Sequence, residues 1–226
     1  MRIGQMIWSM GSLDTFLANV RAAAEHGYTT AWTPQILGAD PLTVLTVAGR
    51  EVPNVELGTA VVPTYPRHPN ILAAQALTVQ ALIGNRLTLG LGTSHKMLVE
   101  GFWGYSFDRP ARHMREYLEA LLPLVRGEPV NYQGETLKAV FPLPLDIPGA
   151  SPPPVLLAAL APAMPRLAGA VADGTITWLT GVKTIANHIV PSITAAAEAA
   201  GQPAPRSRDH RTLSGARSPV GCGCHP

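Results

Sequence analysis

The stretch LGTAVVPTYPRHPNILAAQALTVQALIGNRLTLGLGTSH, at residues 57–95, carries the pattern that decides the fold. Small and β-branched residues predict a buried strand over 55–62, and the prolines that follow cannot continue a sheet. Apolar residues at helical spacing predict a helix over 70–83, and RLTLGLG predicts the next strand over 86–92. Two buried strands joined by a helix indicate a parallel sheet in an α/β protein.

The same alternation of short apolar strands and longer helices extends along most of the chain. It predicts six βα units, with strands at 3–8, 29–33, 55–62, 86–92, 154–159 and 174–179. A hairpin is predicted over 131–140, and Pro191 is expected to kink or split the last helix. Six such units form either an open doubly wound sheet or an incomplete barrel.

The regular pattern ends near residue 205. Residues 206–226 are rich in Arg, Ser, Gly and Pro and show neither the strand period nor the helix period. We therefore predict one domain over 1–205 and an irregular tail over 206–226, disordered or artefactual. A native linker that binds a partner is the alternative interpretation of this tail.

Composition excludes several classes of function. The chain has 226 residues, 46% of them hydrophobic and 14% charged, which fits one soluble domain. Residues 1–205 carry 13 basic and 14 acidic side chains, so no electrostatic surface for nucleic acid is expected. Both cysteines, Cys222 and Cys224, lie in the tail. Without a signal peptide or an apolar run of roughly 18 residues, we expect a cytoplasmic protein with no membrane partner.

Common nucleotide-binding and hydrolase motifs are absent from the sequence. There is no GxGxxG after the first strand and no GxxxxGK[ST], so a dinucleotide fold or a P-loop lacks its phosphate-binding loop. There is no GxSxG nucleophile motif. We also predict no metal site, because His68 is far in sequence from other ligand types.

Three blocks resemble the luciferase-like monooxygenase superfamily, and especially its deazaflavin-dependent oxidoreductases. They are the stretch 57–95, YSFDRPARHMREYLEALLPLV at 105–125 and LLAALAPAMPRLAGAVADGTITWLTG at 156–181. The resemblance covers about residues 1–205 and implies a TIM (β/α)8-type barrel. Since members have eight βα units, it also implies that this chain is incomplete, C-terminally truncated after about six.

The resemblance implies an oxidoreductase that transfers a hydride between the reduced deazaflavin coenzyme F420 and a small organic substrate. FMN is the alternative cofactor, and a homodimer formed through barrel helices is expected. Two other functions stay open. One is an FMN-dependent monooxygenase, and the other is an inactive truncated barrel or an oligomerising fragment without enzymatic activity.

The end of the third strand is the first candidate cofactor-binding element. In the family the cofactor ring lies at the carboxyl ends of the barrel strands, where barrel active sites are found generally. The resemblance implies a bulge with a non-prolyl cis peptide at this point. Thr59, Ala60 and Val61 are therefore candidate cofactor-binding residues. The alternative interpretation is a plain buried strand.

The end of the fourth strand supplies candidates for both binding and catalysis. Thr93 and Ser94 offer hydrogen bonds to the cofactor beside the glycines of this strand. His95 stands where some family members carry a catalytic glutamate, so the resemblance makes it a candidate proton donor or acceptor. The alternative is that His95 only caps a helix.

The second strand departs from the sugar-phosphate and alcohol dehydrogenases of the family. Those members have Asp-His after this strand, whereas this chain has TPQI at 33–36. No base is present there, but Gln35 remains a candidate for hydrogen bonding to the cofactor or substrate. Trp8 and Trp178, at the ends of two strands, are candidate walls of the substrate pocket.

The phosphate end of the cofactor is expected near the fifth and sixth strands. Ala159 and Leu160 precede one predicted helix, and Thr180 and Gly181 precede the next. Helix N-termini supply unpaired N–H groups to a phosphate. Ordinary helix capping is the alternative role of Thr180.

A cluster of charges on the predicted helix over 111–126 has a simpler interpretation than catalysis. Arg112 and Glu116 are four residues apart, a spacing that predicts a surface ion pair. His113 lies on the same helix and is predicted to be structural.

Overall fold

The computed structural model describes residues 3–9, 11–159 and 163–205 in full and the backbone of residues 206–210. Cys222, Cys224 and the rest of the predicted tail from residue 211 onward lie outside the described residues. In chain order the elements are β1 (Gly4–Met6), α1 (Leu13–Glu25), β2 (Thr30–Thr33), α2 (Pro41–Glu51), β3 (Glu56–Thr59), β4 (Val62–Pro63), α3 (Pro69–Leu82), β5 (Leu87–Gly92), α4 (Lys96–Gly101), α5 (Pro110–Val125), β6 (Val130–Gln133), β7 (Lys138–Phe141), β8 (Val155–Ala158), α6 (Ala163–Val171), β9 (Gly174–Trp178), α7 (Val182–Thr184), a π-helical segment (Ile185–Ile189), α8 (Val190–Ala199) and β10 (Arg206–His210).

The main sheet is parallel, with strand order β1-β2-β3-β5-β8-β9-β10, and β4 pairs with β5 beyond the end of β3. The six strands predicted from the sequence are therefore confirmed. Because all these strands run in the same direction, their carboxyl ends lie at one edge, which we call the carboxyl rim.

The two faces of the sheet are covered differently. Outward-facing residues such as Leu57, Leu89 and Leu157 belong to one large buried cluster with residues of the helices. On the other face, Trp32, Leu156 and Ile176 form a separate buried cluster that contains no helix residue among those described. A doubly wound sheet has helices on both faces. The observed arrangement is the predicted alternative, an incomplete barrel with helices outside.

The third strand is interrupted by a bulge. Gly58 pairs with Thr88, and pairing resumes with Val62 opposite Leu91. Between these two pairs the third strand advances by four residues and β5 by three, so the third strand carries one extra residue. The peptide bond between Ala60 and Val61, inside this bulge, is cis. The bulge and the cis bond implied by the resemblance are both present.

The hairpin β6–β7 is antiparallel, as predicted, and is attached to helix α5 by a buried carboxylate. Glu116 accepts hydrogen bonds from the backbone N–H groups of Glu135 and Thr136 and from the Thr136 hydroxyl. The predicted ion pair between Arg112 and Glu116 is wrong. Arg112 pairs with Glu135 instead, because the hairpin turn occupies the Glu116 carboxylate.

The C-terminal end of the described chain differs from the sequence prediction. Arg206–His210, expected to be irregular, forms β10 and pairs in parallel with β9. The segment RSRDH has no apolar residue, so the hydrophobic pattern used to find the other strands gives no signal here. Strand pairing is a backbone interaction and does not require that pattern.

Candidate functional site

Candidate residues from the second and third strands meet at the carboxyl rim. The N–H of Ala60 donates to the carbonyl of Thr33, at an N···O distance of 2.9 Å, and the N–H of Gln35 donates to the carbonyl of Val61, at 3.2 Å. These two bonds hold the bulge against the segment after β2. The carboxamide oxygen of Gln35 is buried and has no hydrogen-bond partner among the described residues.

The inner side of the rim is formed by small side chains. Ala60 and Val61 are partly buried and pack on the interior cluster of Trp32, Leu156 and Ile176. A Cβ added to Gly92 would lie 2.6 Å from Cγ2 of Val61 and 3.5 Å from Cβ of Ala158. We call Ala60, Val61, Gly92 and Ala158 the rim surface. These small groups leave room for a flat ligand at the mouth of the barrel.

At the end of β8, Ala158 faces the barrel interior, whereas the candidate Ala159 does not. Ala159 is fully buried and belongs to the cluster between sheet and helices, so its side chain is turned away from the barrel interior. Its neighbour Ala158 is near Gly92 on the interior side. Side chains alternate between the two faces of a strand. Along β8 the residue facing the interior is therefore Ala158.

Thr59 supports the bulge from within the wall. Its side chain is fully buried. Its hydroxyl donates to the carbonyl of Gly90 and accepts from the N–H of Gly90, both at 2.8 Å. Because both hydrogen bonds are internal, we expect Thr59 to position Ala60 rather than to contact a cofactor directly.

Thr93, Ser94 and His95 lie between β5 and helix α4, a short helix that the sequence prediction missed. Ser94 has a left-handed φ of 65°, which is a strained conformation for a residue other than glycine. Leu179, which follows β9 at the same rim, has a left-handed φ of 51°. The His95 carbonyl accepts from the N–H groups of Leu98 and Val99. The exposed imidazole of His95 makes no capping hydrogen bond and is left available for other contacts.

The predicted phosphate-binding residues are only partly described. Leu160 lies outside the described residues. The Thr180 hydroxyl donates to the carbonyl of Trp178, at 3.2 Å, and Gly181 is exposed immediately before α7. The Gly181 carbonyl accepts from the N–H of Ile185. Thr180 thus has a local hydrogen-bonding role in the turn after β9.

The two tryptophans predicted to line the substrate pocket are in contact. The rings of Trp8 and Trp178 are 5.9 Å apart between centroids and nearly perpendicular, at 81°. Their strands, β1 and β9, are not neighbours in the sheet. The contact therefore spans the mouth of the curved sheet and places both indoles above the barrel interior.

A large cavity opens beside the rim, and the sequence prediction missed it. We call it the side cavity; its volume is about 1110 Å³. It lies between the segment after β2, the loop before α3, the segment before α5 and the hairpin turn. Its lining includes Gln35, Thr64, Tyr65, Arg67, Gln75, Trp103, Tyr105, Arg109, His113 and Glu135. Gln35 is the one sequence-predicted site residue among the lining residues described.

Two aromatic rings are stacked in the wall of the side cavity. Tyr65 and His113 have centroids 3.9 Å apart and planes inclined by 14°. Nε2 of His113 lies 3.1 Å from the hydroxyl oxygen of Thr64. Burial lowers the pKa of His113 to about 4, although the nearby Glu116 opposes this shift. Burial, with a contribution from Asp108, raises the pKa of Tyr65 to about 12.

The described part of the chain holds no group of three or more His, Cys, Asp or Glu side chains arranged to bind a metal ion. Among residues 3–9, 11–159 and 163–210, no helix has the length and hydrophobicity needed to cross a lipid bilayer.

The sequence matches the profile of a known family over the whole of the part that the structure describes. The profile is that of the luciferase-like monooxygenases, and the match covers residues 1–213. The chain belongs to the luciferase-like monooxygenase family. The match includes β10, which lies beyond the point where the sequence resemblance was expected to end.

Relatives in the luciferase-like family include proteins named for coenzyme F420. A protein of Mycobacterium tuberculosis, named as a coenzyme F420-dependent oxidoreductase, is 34% identical over 179 residues, which are 71% of this chain and 49% of the relative. The F420-dependent glucose-6-phosphate dehydrogenase of Nakamurella multipartita is 32% identical over 169 residues, 69% of this chain and 49% of the relative. The chain thus spans about half the length of the curated relatives it matches.

Solved structures of luciferase-like proteins share the fold. The coenzyme F420-dependent tetrahydromethanopterin reductase of Methanopyrus kandleri superimposes with a TM-score of 0.81 at 23% identity, over 92% of this chain and 65% of that one. The EDTA monooxygenase of Chelativorans sp. superimposes with a TM-score of 0.79 at 19% identity, over 92% and 64%. At these identities the likeness establishes the barrel fold.

The buried imidazole of His113 gives the first testable prediction. We expect it to titrate near pH 4 and to be uncharged at neutral pH. Because an unfolded histidine takes up its proton near 6.5, the folded state loses stability as pH falls from 6.5 towards 4. Histidine ring resonances followed by NMR against pH will test this, with His113→Gln used to assign the signal. A midpoint near 6.5 for that signal contradicts the burial described above.

Proposed function

We propose that this chain forms the cofactor-binding part of an oxidoreductase that transfers a hydride between reduced coenzyme F420 and a small organic substrate. The observation that carries the proposal is the rim surface at the mouth of the barrel, with the bulge at Ala60 and Val61 on one side and Ala158 on the other. The relatives named for F420 support the choice of cofactor. A homodimer and a cytoplasmic location remain predictions.

The residues of the rim fit a flat ring with one polar edge. Ala60, Gly92 and Ala158 offer small apolar groups to the faces of such a ring. The buried carboxamide oxygen of Gln35 lacks a partner among the described residues, so it offers an acceptor either to a donor on the edge of the ring or to a donor on the adjacent substrate. Ser94 and Thr93 offer hydroxyl groups on the neighbouring segment.

Reduced F420, if held by the rim surface, would supply a hydride to the organic acceptor, which would also take up one proton. Ala60, Val61, Gly92 and Ala158 would hold the ring at the mouth of the barrel. Trp8 and Trp178, in edge-to-face contact and both partly exposed, would form an apolar wall for the substrate at the mouth. His95, whose imidazole is exposed beside β5, is our candidate for the group that gives the proton to the substrate or removes it.

Titration of the 226-residue chain with F420 and with FMN, followed by absorbance and fluorescence, tests the proposal. We expect saturable binding of F420 and weaker binding of FMN. Tighter binding of FMN, together with oxygen consumption on reduction, favours the FMN-dependent monooxygenase. Binding of neither cofactor by the folded chain contradicts the proposal.

Ala158→Leu tests whether the rim surface holds the ring. The leucine side chain would occupy the interior side of the rim near Gly92, so we expect affinity for F420 to fall roughly tenfold. The matched control is Ala199→Leu, the same substitution at an exposed position of α8, which is expected to leave affinity unchanged. Equal affinities for both variants would show that the ring binds elsewhere.

A further inference from the structure

The lining of the side cavity indicates what kind of molecule it can bind, because it combines paired charges, unpaired hydrogen-bond acceptors and aromatic rings. Gln35 belongs both to its lining and to the hydrogen bond with the bulge, so the cavity adjoins the rim surface. We propose that the side cavity binds the substrate, and that this substrate is an uncharged, planar molecule carrying hydroxyl or amino hydrogen-bond donors. The assignment as substrate, rather than as another ligand, rests on the proposed function.

The charged side chains in and beside the cavity balance one another. Arg67 is paired with Asp40, and Arg109 shares the carboxylate of Glu135 with Arg112, just outside the lining. Asp108, whose carboxylate accepts a hydrogen bond from a serine hydroxyl, adds a further negative charge to the lining. A phosphate or carboxylate entering this cavity would have to compete with existing carboxylates for these arginines. An anionic substrate is therefore disfavoured.

The stacked rings of His113 and Tyr65 in the lining are also uncharged at neutral pH. Burial keeps the pKa of His113 near 4, and burial with the contribution of Asp108 keeps the pKa of Tyr65 near 12. His68, at the edge of the cavity, uses both ring nitrogens. Its Nε2 lies 2.8 Å from the Lys138 carbonyl, and its Nδ1 accepts from the N–H of Asn70. Both ring nitrogens of His68 are therefore engaged by the protein and are not free for a ligand.

Two hydrogen-bond acceptors in the lining are unused. The carboxamide oxygens of Gln35 and Gln75 are buried and have no partner among the described residues. A buried acceptor without a hydrogen-bond partner is unfavourable. Hydroxyl or amino groups of a ligand would supply the missing donors. An uncharged ligand without donors would leave both oxygens unpaired.

The rest of the wall is apolar and combines aliphatic side chains such as Ile36, Leu37 and Ile71 with several aromatic rings. Among these rings, Tyr65 lies 6.4 Å from Tyr105 between centroids. Trp103 also lines the cavity. Rings in offset or tilted contact favour the flat face of another ring. A volume of about 1110 Å³ is ample for a molecule of two or more fused rings.

This ligand chemistry differs from that of one relative. The glucose-6-phosphate dehydrogenase acts, by its name, on a sugar phosphate. A phosphate is bound best by unpaired cations, and both lining arginines described above are paired with carboxylates. The side cavity therefore separates this chain from that relative in substrate class.

Three probes with the same ring system test the inference. Isothermal titration calorimetry measures the affinity of the chain for 2-naphthol, 2-methoxynaphthalene and 2-naphthoate. The second probe lacks the hydrogen-bond donor of the first, and the third carries a negative charge. We expect 2-naphthol to bind tightest of the three. The methoxy probe, which lacks the donor, should bind about fivefold more weakly, and the carboxylate probe about tenfold more weakly. Equal or tighter binding of 2-naphthoate overturns the inference.

Variants locate the binding in the side cavity. Gln75→Leu should weaken 2-naphthol about fivefold without lowering the melting temperature, because the lost acceptor is unpaired in the free protein. Tyr65→Leu should weaken it further, whereas Tyr65→Phe keeps the ring and should bind as the wild type does. The control is Thr78→Ala, at an exposed position of the same helix as Gln75. Unchanged affinity in Gln75→Leu and Tyr65→Leu overturns the placement.

The failure of this inference is distinguishable from failure of the proposed function. A chain that binds F420 but not 2-naphthol overturns the ligand chemistry of the side cavity and leaves the cofactor proposal standing. A chain that binds 2-naphthol as expected but neither F420 nor FMN contradicts the proposed function, and with it the assignment of the cavity ligand as a substrate.

Discussion

Glu116→Gln is expected to lower the free energy of unfolding by about 3 kcal/mol. The carboxylate is buried and accepts hydrogen bonds from the N–H groups of Glu135 and Thr136 and from the Thr136 hydroxyl, the last two at 2.7 Å. Glutamine keeps the volume but turns one acceptor oxygen into an NH2 group that faces these donors. Helix α5 and the hairpin turn would lose their principal polar connection.

The loss of stability caused by Glu116→Gln should become smaller as the pH falls. Burial by itself raises the pKa of Glu116, but hydrogen bonds from Thr136 and from the backbone of 135–137 outweigh it and lower the pKa below the usual 4.5. Stabilisation from a carboxyl with a lowered pKa is present above 4.5 and is lost as pH falls through the folded pKa. The difference between wild type and Glu116→Gln should therefore shrink in acid.

Urea unfolding at neutral pH and at several values below 4.5 measures both effects. Glu128→Gln is the matched control, because this glutamate is exposed and its replacement should change stability by less than about 0.5 kcal/mol. If Glu116→Gln behaves like the control, the carboxylate does not hold the hairpin turn in solution.

Gly90→Ala is expected to cost about 3 kcal/mol or more, because the added methyl group has no space. A Cβ at position 90 would overlap the carbonyl oxygen of Thr59 and lie 2.6 Å from Cδ1 of Ile176. The Thr59 carbonyl is backbone and cannot rotate away. The same glycine also exchanges two hydrogen bonds with the Thr59 hydroxyl. The bulge should be displaced together with the strand.

Gly101→Ala provides the comparison for Gly90→Ala. Gly101 ends helix α4, and a Cβ added there meets no atom within 4 Å. Its replacement should leave stability within about 0.5 kcal/mol of the wild type or raise it slightly. Thermal and urea unfolding of the two variants measure the contrast. If the two variants have similar free energies of unfolding, the atoms around Gly90 leave room for a methyl group and the close packing described here is wrong.

Local sequence pattern predicted the repeating part of this fold well. The apolar strands and their connecting helices were found because each buries a periodic face. The N-terminus of α2 has an equally local basis, because Asp40 directly precedes Pro41 and its carboxylate accepts from the Thr43 N–H. The bulge at Ala60 and Val61, in contrast, came from family resemblance, since no residue there is diagnostic of a bulge by itself.

The misses have physical causes. Helix α4 is only six residues long and follows directly on β5, too short for a periodic signal. The side-chain direction of Ala159 depends on strand register, which a run of leucines and alanines does not fix. The side cavity brings together Gln35, Gln75 and Arg109, which are far apart in sequence. Such a site is created by tertiary structure and leaves no local pattern.

The edge-to-face contact of Trp8 and Trp178 gives the mouth of the barrel an intrinsic optical signal. Two indoles held nearly at right angles and in contact couple their electronic transitions, and the coupling changes as soon as either ring rotates. The near-ultraviolet circular dichroism of this pair would therefore respond to opening of the mouth. A movement of β1 relative to β9 would then be visible spectroscopically, without any attached label.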